Sequence, residues 1–161
     1  MEIIRIKAIE ELNSLRMEGI QKILDDTFAE KAMPRKFSWA NFLNYWEFAL
    51  LLPGNVLWLL VDEIDEDTVY GILGGICTPD ILTDYKIAVA NCWTVSKEAR
   101  GKGFGWELLA TFMEWAMKEQ GATRIFVQRT AYKDPELDKY LDAQLKRLSF
   151  IQTGYEYYMD V

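Results

Sequence analysis

The chain opens by alternating: Ile4 and Ile6 stand between the charged Arg5 and Lys7, which predicts a strand over 2–7. From 9 to 30 the apolar positions take helical spacing through Leu12, Leu15, Ile20, Ile23, Leu24 and Phe28, with Gly19 as a candidate interruption. Residues 31–36, with Pro34, read as a connection. Ser38 N-caps a second helix carrying Trp39, Phe42, Leu43, Trp46 and Leu50, which Pro53-Gly54-Asn55 ends. The apolar run 49–61 is too short and too broken to span a membrane, so 56–62 reads as an interior strand. The acids Asp62, Glu63, Asp65, Glu66 and Asp67 then form a solvated hairpin loop, or else a docking patch for a basic partner. Residues 69–77 make the next strand, although Gly71, Gly74 and Gly75 weaken it unless something packs closely over them. A loop over 78–86 leads to the strand 87–95, and a centred hairpin sets Cys77 roughly opposite Cys92, both as small core residues.

After a glycine-rich turn, Leu108, Leu109, Phe112, Met113, Trp115 and Ala116 mark a helix from about Gly105, stopped by Gly121. A strand over 123–129 follows. Asp134 and Pro135 open a helix over 135–148 with the apolar face Leu137, Tyr140, Leu141, Leu145 and Leu148. Phe150-Ile151 and 155–159 close the chain as strands around a Thr153-Gly154 turn. The order is β-α-α-β-β-β-α-β-α-β(β), an α/β chain with a mixed sheet, expected to form one domain over 1–161.

Composition narrows the chemistry. Half of the 161 residues are apolar and 14% aromatic, enough for a real core. A net charge of −7 disfavours a nucleic acid or an anionic membrane as partner and suits a cationic substrate. Two cysteines make no disulfide framework, and the start lacks signal-peptide character, so a reducing cytoplasmic setting is expected. With no histidine, a Ser-His-Asp triad, a Cys-His pair and a histidine acid or base are excluded, and no metal site is expected. Chemistry is left to carboxylates, Tyr, Lys, Cys, backbone amides or a cosubstrate. Direct attack of an amine on a bound thioester needs no more than that.

The turn itself, 95–105, carries glycines at 101, 103 and 105 beside Arg100 and Lys102, just before a helix start. Free helix-start amides at the positive end of the dipole, with two cations beside them, suit a diphosphate. A P-loop needs Ser or Thr after its lysine, but Gly103 follows Lys102; a dinucleotide fingerprint needs glycine where Trp106 stands. Arg100-x-x-Gly103-x-Gly105 does fit a pattern. Lying between the fourth strand and the third helix, it resembles the acyl-CoA pyrophosphate loop of the GNAT N-acetyltransferase family, whose element order the whole chain follows.

That resemblance implies a fourth strand splayed from the fifth, with acetyl-CoA as cosubstrate in the gap. Backbone groups of Trp93, Thr94 and Val95 would pair with the pantetheine, one amide serving as oxyanion donor, while Arg100, Gly101, Lys102, Gly103, Phe104, Gly105 and Trp106 cradle the diphosphate. The resemblance is incomplete on the proton-transfer side. Strand 88–95 has no carboxylate; Asn91 can hold a water, and Glu47 and Asp84 are unselected alternatives for a base. Against the family's Phe-Tyr-Glu-Lys-x-Gly-Phe run this chain has Gln144-Leu145-Lys146-Arg147-Leu148-Ser149-Phe150, so Leu145 replaces the acid tyrosine and Ser149 the glycine. Tyr140 is the remaining catalytic candidate, with Tyr132 as alternative, and Asp138 stands near the usual asparagine. The acceptor, a small-molecule or protein amine, would enter between the first two helices (Trp39, Tyr45, Trp46) and the tail at 155–158. An N-acyltransferase working through a ternary complex is the first reading, and a non-catalytic acyl-CoA- or protein-binding module the second. A nucleotide-binding module is the third, and a homodimer is left open.

Overall fold

The computed structural model describes residues 1–31, 37–129 and 131–151. The connection around Pro34, the Thr153-Gly154 turn and the strand expected at 155–159 lie outside the described residues. The elements are β1 (Glu2–Ile6), α1 (Ser14–Glu30), α2 (Trp39–Ala49), β2 (Asn55–Val61), β3 (Val69–Pro79), β4 (Lys86–Val95), α3 (Phe104–Glu114), β5 (Arg124–Val127) and α4 (Pro135–Arg147). The strands form one sheet in the order β1-β2-β3-β4-β5, with every pairing antiparallel except the parallel β4–β5.

Alternation along the buried β2 strand divides the core in two. Val56, Trp58 and Leu60 pack with Leu108, Leu109 and Phe112 of α3 on one face. Leu57, Leu59 and Val61 pack with Ile20, Ile23 and Leu24 of α1 and Trp46 of α2 on the other. The β3 glycines explain how helices come so close. A Cβ on Gly74 would overlap the Trp46 ring, and one on Gly75 would overlap Phe112, so adjacent glycines admit a ring from each face. The acidic β2–β3 connection is a solvated turn that caps itself: Asp62 accepts from the amides of Ile64 and Asp65, and Asp65 from Thr68. Arg16 and Asn13, at the start of α1, hold it through Glu66 and Asp67.

Several boundaries differ from the expectation. Residues Ile9–Glu11 form a 3-10 turn, and α1 begins only at Ser14, where the Asn13 side chain accepts from the Arg16 amide. Gly19 does not interrupt α1, because it sits against Val69, where a Cβ would lie 3.2 Å from the Val69 Cβ. The cysteines are not opposed: Cys77 pairs with Ala88 and Cys92 with Gly74, because the hairpin closes at the Pro79–Lys86 pair, which leaves Cys77 four residues short of Cys92. The β3–β4 register also shifts by one residue between Gly74 and Gly75. Asn91 is the residue that the shift leaves without a partner on β3, a β-bulge. Helix α3 starts at Phe104 and continues as a π-helical turn over Trp115–Glu119, and Gly121 at φ 67° follows. Phe150-Ile151 is not a strand. On α4, Leu137, Leu141 and Leu145 are half-buried, whereas Tyr140 and Leu148 are exposed.

The end of α4 carries strain. Ser149 lies at φ 66°, the left-handed region, and the Phe150 amide turns back to the Leu145 carbonyl at 3.0 Å. This is a conformation glycine takes without a Cβ penalty. Ser149→Gly is expected to stabilise the protein by about 1 kcal/mol, read as a raised urea midpoint at constant slope. Gly74→Ala is expected to cost about 2 kcal/mol by driving Trp46 off its seat, read in the same titration and in the Trp46 emission.

Candidate functional site

The site begins where two strands part. β4 pairs with β5 only through Ile87–Ala90 against Arg124–Val127, and the last bond runs from the Gln128 amide to the Ala90 carbonyl at 2.9 Å. Beyond Ala90, β4 continues to Val95 on β3 alone. Its backbone from Asn91 to Val95 therefore has no strand partner on the β5 side among the described residues. The bulge at Asn91 sits at the point of parting, as bulges beside functional clefts do.

At the end of the open stretch the Ser96 amide is held by the Tyr70 carbonyl at 2.7 Å, and a 3-10 turn over Lys97–Ala99 leads to the glycines. Gly101 (φ 74°) and Gly103 (φ 92°) take left-handed conformations, and a Cβ on either would meet nothing within 4 Å. Their glycine character thus answers to the backbone turn, and the space above them is open. Gly103 is the N-cap of α3, without any side-chain cap. Its carbonyl takes the amides of Trp106 at 2.8 Å and Glu107 at 3.2 Å, so those of Phe104 and Gly105 precede any acceptor in the helix. Trp93 fixes this corner with its side chain: Nε1 donates to the Gly105 carbonyl at 2.8 Å and the ring meets Trp106 edge-on at 5.1 Å. Trp93 therefore braces the corner and is not a plain core aromatic.

The last turn of α1 spans the parting. On the β4 side, Thr27 and Thr94 share a buried hydroxyl–hydroxyl hydrogen bond of 2.7 Å, and Glu30 meets Arg100 Nη2 at 2.8 Å and Lys97 Nζ at 3.5 Å. On the β5 side, Lys133 donates its amide to the Glu30 carbonyl and its ammonium to the Ala29 carbonyl. Lys31 forms a bridge with Tyr132 and sets its ammonium 3.4 Å from the centre of that ring. Arg129 and Asp138 pair at 2.7 Å, and Asp138 also accepts the Tyr132 amide at 3.0 Å. Burial raises the Asp138 carboxyl, but the Tyr132 amide and Arg129 lower it further, so it stays below the usual range as a matched anion. Burial, then Arg129 and Arg100, holds the Lys31 ammonium down at about 8, against the opposing pull of Asp138 and Glu30.

Of the tyrosines, Tyr132 is half-buried with its hydroxyl pushed above the ordinary value, first by burial. Tyr140 is half-exposed on α4 and makes no hydrogen bond or ring contact among the described residues. Glu47 and Asp84 are both exposed, Glu47 on α2 and Asp84 in the β3–β4 turn. Burial pushes the Cys92 thiol up to about 12, so it offers no thiolate near neutrality. Trp46 is 2% exposed and belongs to the core, while Trp39 stacks on Phe42 at 5.2 Å and Tyr45 is half-exposed. The tail expected to complete the acceptor wall, 155–158, lies outside the described residues. Sequence reasoning missed Thr27, Glu30, Lys31 and Arg129, which reach the site only through tertiary packing. Thr27 on an apolar helical stripe was the one local sign.

A model of the acetyltransferase (GNAT) family matches residues 17–140. No curated protein is a significant match in sequence. Among solved structures, an aminoglycoside acetyltransferase from an uncultured soil metagenomic sample superposes with TM-score 0.70 at 15% identity, covering 99% of this chain and 95% of that one. An aminoglycoside 6'-N-acetyltransferase from Acinetobacter haemolyticus gives 0.69 at 16% identity, covering 100% and 98%. A ribosomal-protein-alanine N-acetyltransferase from Brucella melitensis biovar Abortus 2308 gives 0.67 at 13%, covering 99% and 98%. At these identities the likeness is one of fold.

The lowered Lys31 value gives a pH prediction. A lysine whose folded pKa lies below its unfolded one costs stability when protonated, and that cost disappears as pH rises from about 8 towards 10.5. Wild type is therefore expected to gain stability relative to Lys31→Gln across that window, in urea titrations at stepped pH. A constant difference between the two proteins would contradict the assignment.

Proposed function

Because the chain belongs to the acetyltransferase (GNAT) family, we propose that it transfers an acyl group, acetyl in the simplest case, from acyl-CoA to a primary amine in a ternary complex. The observation that carries this reading is a strand that, among the described residues, is left open from Asn91 to Val95 and leads through a 3-10 turn into the glycines and the bare start of α3. A pantetheine arm would add to the open strand edge as an extended peptide does, and the diphosphate would meet the amides of Phe104 and Gly105, with Arg100 and Lys102 nearby.

In the proposed reaction the neutral amine attacks the thioester carbonyl. The oxyanion accepts a hydrogen bond from an amide of the open stretch, at or next to Trp93, and the C–S bond then breaks. The thiolate takes its proton from Tyr132, preferred over Tyr140 because Tyr132 sits at the parting, bridged to Lys31 at the end of α1, whereas Tyr140 is exposed on α4. Asn91, exposed on the bulge, would hold a water that carries the proton off the amine. The inaccessible Cys92 thiolate argues for direct transfer over an acyl-enzyme. The acceptor is an amine on a small molecule or a protein, and the net charge of −7 favours a cationic one. The second reading, an acyl-CoA-binding module without transfer, draws on the missing β4 carboxylate and on Leu145 in the acid position.

Calorimetry with acetyl-CoA is expected to show binding that Arg100→Ala combined with Gly103→Asp weakens at least about tenfold, through a lost cation, an added anion and a side chain forced to φ 92°. Free-thiol release with a panel of amines then separates transferase from binding module, since only the transferase gives release that depends on the amine.

A further inference from the structure

Arg100 and Lys97 are already occupied. The Glu30 carboxylate meets both, Arg100 Nη2 at 2.8 Å and Lys97 Nζ at 3.5 Å, and Arg100 Nε also points to the Val95 carbonyl at 3.4 Å. The carboxylate reaches them from another element, the end of α1, across 70 residues of chain. Its backbone is fixed there: the Glu30 carbonyl accepts the Lys133 amide at 2.9 Å, and Thr27 is bonded to Thr94 one turn earlier. Both partners of the Glu30–Arg100 pair keep about a quarter of their side chains exposed, so the contact is partly shielded from solvent and from salt. Burial raises the Glu30 carboxyl, but the contacts to Arg100 and then Lys97 lower it further, so it stays below the usual carboxylate range.

The pair is single-pronged. Arg100 Nη2 meets Glu30 Oε2 while its Nε turns to the Val95 carbonyl, unlike the two-pronged fit that an arginine can make with a carboxylate or a phosphate. A diphosphate offers more charge and more acceptor oxygens. Placed over the open glycines it would draw the same cations, while the helix behind Glu30 keeps that carboxylate close by.

We propose that Glu30 is the resident counter-ion of the diphosphate loop: it holds Arg100 and Lys97 while no diphosphate is bound, and the diphosphate of acyl-CoA must displace it from them. This rests on the reading of the loop as an acyl-CoA site. Glu30 then acts as a positioning residue that tempers donor affinity, because it stabilises the empty loop and repels the filled one. Free CoA, which carries the same diphosphate as acyl-CoA, is released more readily for it.

The test titrates wild type, Glu30→Gln, Glu98→Gln and Arg100→Ala with CoA and, separately, with inorganic pyrophosphate. Glu98 is the control, a carboxylate on the same turn that forms no ion pair among the described residues. Glu30→Gln is expected to bind both titrants about fivefold more tightly, the effect of removing one nearby like charge from a partly exposed site, with Glu98→Gln within about twofold of wild type. Donor-free Glu30→Gln should also melt lower than wild type. Glu30→Ala, which cannot hold Arg100 either, should tighten binding in the same direction. Unchanged or weaker binding by the Glu30 variants overturns the counter-ion, and so does an equal gain from Glu98→Gln. If wild type binds CoA and Arg100→Ala weakens it in that case, the donor reading survives. Pyrophosphate binding that tightens in Glu30→Gln while CoA fails to bind overturns the donor reading and keeps the counter-ion. Failure of both titrants overturns both.

Discussion

The architecture depends on the parting of β4 from β5 at Ala90. A parallel pair needs evenly spaced, slanted hydrogen bonds to continue, and here they stop because β5 is only four residues long while β4 runs on as ten. The extra residue at Asn91 breaks the β3 register at the same level, where a bulge disrupts the ladder and favours a local bend. An unpaired strand edge inside a sheet is costly unless something satisfies it, and in this position it is a ready template for an extended ligand.

Three supports keep that edge open and aimed. The adjacent glycines Gly74 and Gly75 let Trp46 and Phe112 press into the sheet from opposite faces and seat α2 and α3 closely against it. Trp93 then ties β4 to the first turn of α3, joining the open edge to the bare amides at the helix start. Finally, the last turn of α1 touches both sides of the parting, through Thr27 and Glu30 on one and Lys31 on the other. The same turn thus sets the cleft and places an anion among the loop's cations.

Much of this was legible along the chain, because it rests on local chemistry. Gly101 and Gly103 announce a turn, Asp134-Pro135 announces a helix start, and the unbroken apolar run of β2 announces an interior strand. The three β3 glycines were a correct warning that something packs closely above them; which rings do so is a matter of tertiary packing. The cysteine pairing went astray at the turn: the hairpin closes at Pro79–Lys86, which sets Cys77 opposite Ala88, and the bulge at Asn91 moves Cys92 by only one further residue, to face Gly74. Ser149 is the reverse case. The departure from glycine was visible in the sequence, but its physical meaning, a left-handed residue at the end of α4, required the backbone. Glu30 and Lys31 could not be read at all, because nothing near them in sequence tells that α1 ends over a loop 70 residues away.

In the proposed function the open edge of β4 and the start of α3 form one continuous donor site, and a crystal structure with acetyl-CoA would decide it. Pantetheine is expected hydrogen-bonded along Asn91–Val95, diphosphate oxygens on the amides of Phe104 and Gly105, and the thioester near the Asn91 bulge. Diphosphate bound elsewhere, or a pantetheine that leaves the β4 edge unpaired, would contradict it.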